Sequence, residues 1–190
     1  MLMSMWEAYL RPSEALALRS FQLLSPVVGE RGTASGWVIL VHAAELGRPG
    51  KTGEFDTSVP LDLERQKLLS RPLERLKKVT SSQDLVFPFS YVHFADQFKK
   101  GLQHLGLGHL KMSPYCCRHG GASQDRAEKL RSVEAVAKRG GWRSFASIRR
   151  YEKHGRLNLV LQSMPEETRT KAKLQEKTLS SILVIPSRSH

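Results

Sequence analysis

The run WVILVH (37–42) is apolar and β-branched, and it reads as a strand. A strand needs a partner. The nearest candidate is TSVPLDL (57–63), reached through the turn-rich, charged segment GRPGKTGEF (47–55). Two short strands around such a segment suit an antiparallel hairpin, with Lys51 near its tip. The other periodic segments read as helices. SEALALRSFQLL (13–24) has apolar residues at helical spacing and an N-cap at Ser13. Residues 62–79 read as a basic helix broken or kinked near Pro72, and 90–105 as an amphipathic one. After the turn around Pro114, a helix runs from near Arg118 to about Leu130. Ser132 caps SVEAVAKR, which stops at Gly140-Gly141. Ser144 opens SFASIRRYEKH, which carries Tyr151 and continues into 156–163; Pro165 opens EETRTKAKLQEK. The fold class expected is mainly α with a small antiparallel β-sheet (α+β), in a chain of 190 residues, enough for one domain with its own core.

Charge narrows the partners. Thirty Lys and Arg stand against eighteen Asp and Glu, a net charge of +12. Such an excess points to a polyanion, nucleic acid before a membrane surface. No apolar run reaches the length of a membrane span, and MLMSMWEAYL lacks the pattern of a signal peptide. Cys116 and Cys117 are adjacent and the only cysteines, so no disulfide framework is expected. The setting implied is intracellular and reducing: the nucleus in a eukaryote, otherwise the cytoplasm or nucleoid. The two cysteines read as core packing, and their spacing to His119 is poor for a metal. His104 and His109 read as incidental. The basic residues concentrate between Lys138 and Arg156, where seven Lys or Arg face one acid, Glu152. Most charge runs are solvated helix faces. This one-sidedness beside Trp142 and Tyr151 favours a phosphate-facing surface, with Arg139, Arg143, Arg149, Arg150 and Lys153 as its DNA contacts.

Four motifs then stand in order. YLRPSEALALR (9–19) has Arg11 and, three residues on, Glu14. PGKTGEFDTSVPL (49–61) is the hairpin bearing Lys51. SPYCCRHGGAS (113–123) has Arg118-His119, with Tyr115 three residues before the arginine. RGGWRSFASIRRYEKHG (139–155) has Trp142 nine residues before Tyr151. Together these resemble the boxes of the tyrosine recombinase and phage integrase family, over roughly residues 9–160. The resemblance implies the catalytic-domain fold of that family and its chemistry on double-stranded DNA. Tyr151 would attack a phosphodiester and form a 3′-phosphotyrosyl link, releasing a 5′ hydroxyl. No metal, ATP or other cofactor is implied.

The roles implied are chemically coherent. Arg11 and Arg118 would clamp the non-bridging oxygens as charge builds on the five-coordinate phosphorus. Glu14 would orient Arg11 or its neighbours from behind. Lys51 would protonate the leaving oxygen. Trp142 would donate its indole N–H to the phosphate, and His119 would support the site. Tyr115 departs from the family, where histidine is usual; it can still donate a hydrogen bond but cannot hold positive charge. Each residue also has a plainer reading. Tyr151 alone is a packed residue on a basic helix, Arg11 before Pro12 a helix-entry residue, and Lys51 one of many exposed loop lysines.

Family catalytic domains have a helix or more ahead of the first arginine, and a separate N-terminal DNA-binding domain. Only ten residues precede Arg11, and neither feature is expected in them. Residues 1–165 therefore read as an N-terminally truncated catalytic domain. Residues 166–190 read as a C-terminal helix and tail, placed to be exchanged between protomers of a tetramer on paired sites. Two alternatives stay open: a catalytically impaired DNA-binding remnant of a mobile-element integrase, and a type IB topoisomerase-like enzyme. The latter usually has lysine where Tyr115 stands. A membrane partner is not expected.

Overall fold

The computed structural model describes residues 1–27, 36–50, 53–144 and 154–182. It is mainly helical, with a small three-stranded antiparallel sheet. The chain divides into two compact units: Met1–Leu16 with Phe89–Lys173, and Ala17–Pro88 with Leu174–His190.

The second unit is built on the sheet. Strands β1 (Leu23–Leu24), β2 (Val38–Val41) and β3 (Thr57–Pro60) lie in that order, with Ile39 paired to both Leu23 and Val59. Ile39, Val41, Val59 and Leu23 are buried, and Val38 and Leu40 less so, as alternation along a strand requires. The expected hairpin is therefore present, although Lys51 lies outside the described residues. The helix expected over 13–24 is not. Helix α2 (Pro12–Leu16) ends early, a 3-10 turn covers Ser20–Gln22, and Leu23-Leu24 joins the sheet. The apolar spacing of that segment is shared among three elements: pairing with β2 satisfies the backbone of Leu23-Leu24, so no helix is needed there. The basic helix is likewise divided, into a 3-10 stretch Glu64–Leu69 and α3 (Ser70–Val79). Pro72 sits in the first turn of α3, where its missing N–H has no partner to lose.

The first unit carries most of the motifs. Helix α1 (Leu2–Glu7) corrects the expectation that no helix precedes Arg11. Helix α4 (Tyr91–His104) starts at Ser90, whose hydroxyl accepts from the His93 N–H at 3.2 Å. Helix α5 (Cys116–Ala127) is followed by α6 (Val133–Gly140). Ser132 caps α6 as expected, accepting from the Ala135 N–H at 3.1 Å, a cap worth about 1 kcal/mol. Gly141 ends it in the left-handed region at φ 58°. Helices α7 (His154–Ser163) and α8 (Glu166–Ile182) complete the described chain. The helix expected from Ser144 through Tyr151 falls mostly outside the described residues.

Packing in this unit turns on the glycine pair of α5. A Cβ on Gly121 would lie 1.9 Å from the Trp6 carbonyl oxygen, and one on Gly120 would lie 2.2 Å from the Trp6 ring. Two bare positions let α1 press its backbone onto α5. Tyr9, Ala122 and Val136 form the core between the turn after α1, α5 and α6, with Trp142 packed against it. Among the described residues, no helix is long and apolar enough to cross a membrane.

Candidate active site

The α1–α2 turn, α5 and the end of α6 bring six of the expected site residues into one neighbourhood. Arg11 lies just ahead of α2, whose first turn carries Glu14. The Arg11 guanidinium pairs with Glu14 Oε1, and the Arg11 backbone N–H donates to Glu14 Oε2 at 2.7 Å. That second oxygen lies 3.6 Å from Arg118 Nη1. One carboxylate thus stands between the two arginines, far apart in sequence, that the motifs proposed as a phosphate clamp.

Arg118 lies on the inner face of α5 and is only 1% exposed. Its Nη1 donates to the Tyr9 carbonyl and its Nη2 to the Gly140 carbonyl. The Trp142 ring covers the guanidinium, with the Cζ 4.4 Å from the ring centroid, a cation–π geometry. Gly140 makes room for this: a Cβ there would lie 1.9 Å from the Trp142 ring. His119 stacks near Trp142, at 6.3 Å between centroids and 24°, and Tyr115 contacts His119 at 4.8 Å. Arg11 retains partial exposure, 19% of its side chain, and Tyr115 is at the surface. Arg11 and Tyr115 are thus more exposed than Arg118, whose guanidinium lies under the Trp142 ring.

Arg139, expected to face DNA, is otherwise engaged. Its Nη2 donates to the Glu7 carbonyl at 2.7 Å, and its guanidinium lies 5.4 Å from the centroid of the Tyr9 ring. Arg143 is exposed. Tyr151, Lys51, Arg149, Arg150 and Lys153 lie outside the described residues. Cys117 is buried and Cys116 half-buried, and both are free thiols. The hydrogen bond to Cys117, followed by burial, pushes the Cys116 thiol above its usual range.

Sequence reasoning missed two residues here. Tyr9 is 1% exposed, and its hydroxyl donates to Asp125 Oδ2; Asp125 is 0% exposed and also accepts from Arg131 Nε at 2.9 Å. Asp125 had a sequence signal. Positions 118, 121, 122 and 125 follow the i, i+3, i+4, i+7 pattern of one helix face, and all four are buried. An acid on the same stripe as Arg118 calls for a buried donor.

Burial, reinforced by the Asp125 hydrogen bond, pushes the Tyr9 phenol well above its ordinary value. In the unfolded chain the phenol ionises near pH 10. Above that pH the unfolded state releases a proton that the folded state keeps, so stability is full below about pH 10 and falls as pH rises further. The expected outcome is an alkaline loss of stability that is shallower in Tyr9→Phe. Urea midpoints from pH 8 to 11 measure it, and parallel slopes in the two proteins would count against the buried phenol.

Compared with protein-family models, with curated proteins and with solved structures, the chain matches none of them.

Proposed function

We propose that this chain breaks and rejoins DNA through a tyrosine nucleophile, in the manner of the tyrosine recombinase family. The observation that carries the reading is the convergence of Arg11 and Arg118 on the two oxygens of Glu14. A solvated basic face has no reason to gather two guanidinium groups around one carboxylate beside a tryptophan. A site that stabilises an anionic five-coordinate phosphorus does. The net charge of +12 supplies attraction for the DNA backbone. In this reading Tyr151 gives up its phenolic proton to solvent as its oxygen bonds to phosphorus, the bond from phosphorus to the 5′ oxygen breaks, that oxygen leaves with a proton from Lys51, and the energy stays in the phosphotyrosyl link. Glu14 holds Arg11 in place and Trp142 guards Arg118. Integration, excision and resolution all use this step.

One observation favours a second reading, the DNA-binding remnant. Arg118 is enclosed, and both its terminal nitrogens donate to backbone carbonyls, as in a purely structural arginine. A single experiment separates the two. The protein is incubated with a pool of nicked duplexes of random sequence, then run on denaturing gels. The enzyme reading expects a covalent protein–DNA adduct that Tyr151→Phe lowers by at least about a thousandfold. Salt-sensitive DNA binding without an adduct would leave the remnant.

A further inference from the structure

We infer that Tyr9 and Asp125 form a positioning pair for Arg118. The inference rests on the recombinase reading for its catalytic consequence, but not for its geometry.

Tyr9 is held at both ends. Its carbonyl accepts from Arg118 Nη1, and its hydroxyl donates to Asp125. Arg118 and Asp125 are seven residues apart on α5, two helical turns along one face. A single residue of the α1–α2 turn therefore spans the stripe of α5 that carries the arginine. The backbone of Tyr9 is shaped for this. Its φ is 52°, a left-handed conformation that residues other than Gly, Asn and Asp rarely adopt. This fold keeps the strained conformation and places a large aromatic residue in it. Such strain persists only where the surroundings over-determine it. Here they do: Ala122 and Val136 enclose the ring, Trp142 lies 6.1 Å away, Arg139 lies over the ring, and Asp125 ties the hydroxyl. Arg131 holds the other side of that arrangement by donating to the same Asp125 oxygen.

The hydroxyl is what a packing role leaves unexplained. Phenylalanine fills the same space, so a residue there for packing alone does not need a buried carboxylate opposite it. The carboxylate fixes how far the turn can slide along α5. That distance sets where the Tyr9 carbonyl meets Arg118 and, two residues on, where Arg11 leaves the turn. The phenol–carboxylate bond thus contributes to the position of both arginines of the proposed clamp, beside Glu14 at Arg11 and the Gly140 carbonyl at Arg118.

The test uses the full chain with 15N-labelled arginine. The Arg118 Nε–Hε signal is assigned by its absence in Arg118→Lys. In Tyr9→Phe, cooperative unfolding is kept, the Arg118 signal shifts, and its exchange with solvent quickens. DNA affinity changes less than about twofold, while the rate of adduct formation falls about tenfold or more, because a small misplacement suffices. Tyr91→Phe, at an exposed tyrosine of α4, leaves all five readouts unchanged. An Arg118 signal and exchange rate unaltered in Tyr9→Phe overturn the inference. Should Tyr9→Phe not fold, Asp125→Asn is judged by the same signal. If the wild-type protein forms no adduct, the recombinase reading fails, while the arginine signal still decides the positioning pair.

Discussion

Arg118→Ala is expected to lower stability by about 3–5 kcal/mol, against a typical total of about 5–15 kcal/mol. Three losses contribute. The carbonyls of Tyr9 and Gly140 lose the donors that the guanidinium supplied, and each buried acceptor left without one costs about 1–3 kcal/mol. Glu14 keeps Arg11 but loses the second cation at 3.6 Å. The Trp142 ring loses the group it covers and stands over a void. Arg118→Lys should recover less than half of this. An ammonium brings one charge but lacks the planar fork that reaches two carbonyls in different directions. Urea unfolding followed by tryptophan fluorescence is the measurement. A loss under about 1 kcal/mol in Arg118→Ala would mean that the guanidinium is not enclosed and that it does not meet Arg11 at Glu14.

This double burden on Arg118 bears on how function is assigned. An inactive Arg118 variant proves little about chemistry if it no longer folds. Tyr151→Phe is cleaner, because it removes one oxygen. Arg11→Lys is cleaner than any change at Arg118, because Arg11 is partly exposed and its guanidinium pairs with Glu14, its local neighbour on the same turn.

The local rules were legible where one element owned its signal. Ser132 and Gly141 bound α6 because cap chemistry is decided within a few residues. The strand expected at 37–42 forms at Val38–Val41, where the run is β-branched and alternates between buried and half-buried positions. Legibility failed at residues 13–24, where one apolar pattern served a short helix, a 3-10 turn and the edge of a sheet. Nothing local says that β2 will take Leu23-Leu24 as its neighbour. The candidate site followed the same division. Arg11, Glu14, Tyr115, Arg118, His119 and Trp142 could be named from motif spacing, and they do share a neighbourhood. That Arg118 is sealed beneath Trp142 could not be read, because it depends on α1 reaching α5. Tyr9 was invisible for a related reason: its importance comes from a backbone conformation that its residue type argues against.

The glycine pair of α5 is where that dependence can be tested with the least chemistry. Gly121→Ala adds one methyl group 1.9 Å from the Trp6 carbonyl oxygen and 2.8 Å from its carbonyl carbon. These are backbone atoms and cannot rotate away, so α1 must lift from α5. Overpacking of this kind costs about 3 kcal/mol, more than the up to about 1 kcal/mol that alanine gains over glycine within a helix. Gly120→Ala meets a side chain instead, the half-buried Trp6 ring. That ring can turn, giving up the hydrogen bond from its Nε1 to Gln124 at 2.8 Å, so the net cost should stay near 1 kcal/mol. Urea midpoints of the two single variants give the comparison, and equal effects would rule out a backbone contact at Gly121. The larger consequence lies downstream. Lifting α1 drags the Tyr9 carbonyl away from Arg118 and loosens the turn that presents Arg11. Gly121→Ala should therefore shift the Arg118 Nε–Hε signal even though residue 121 touches neither arginine, while Gly120→Ala should leave it in place. The methyl group acts on the site through the seating of α1 and, 3.2 Å from Tyr9 Cε1, through the Tyr9 ring, which makes that seating, as much as any charged residue, a condition for the two guanidinium groups to meet.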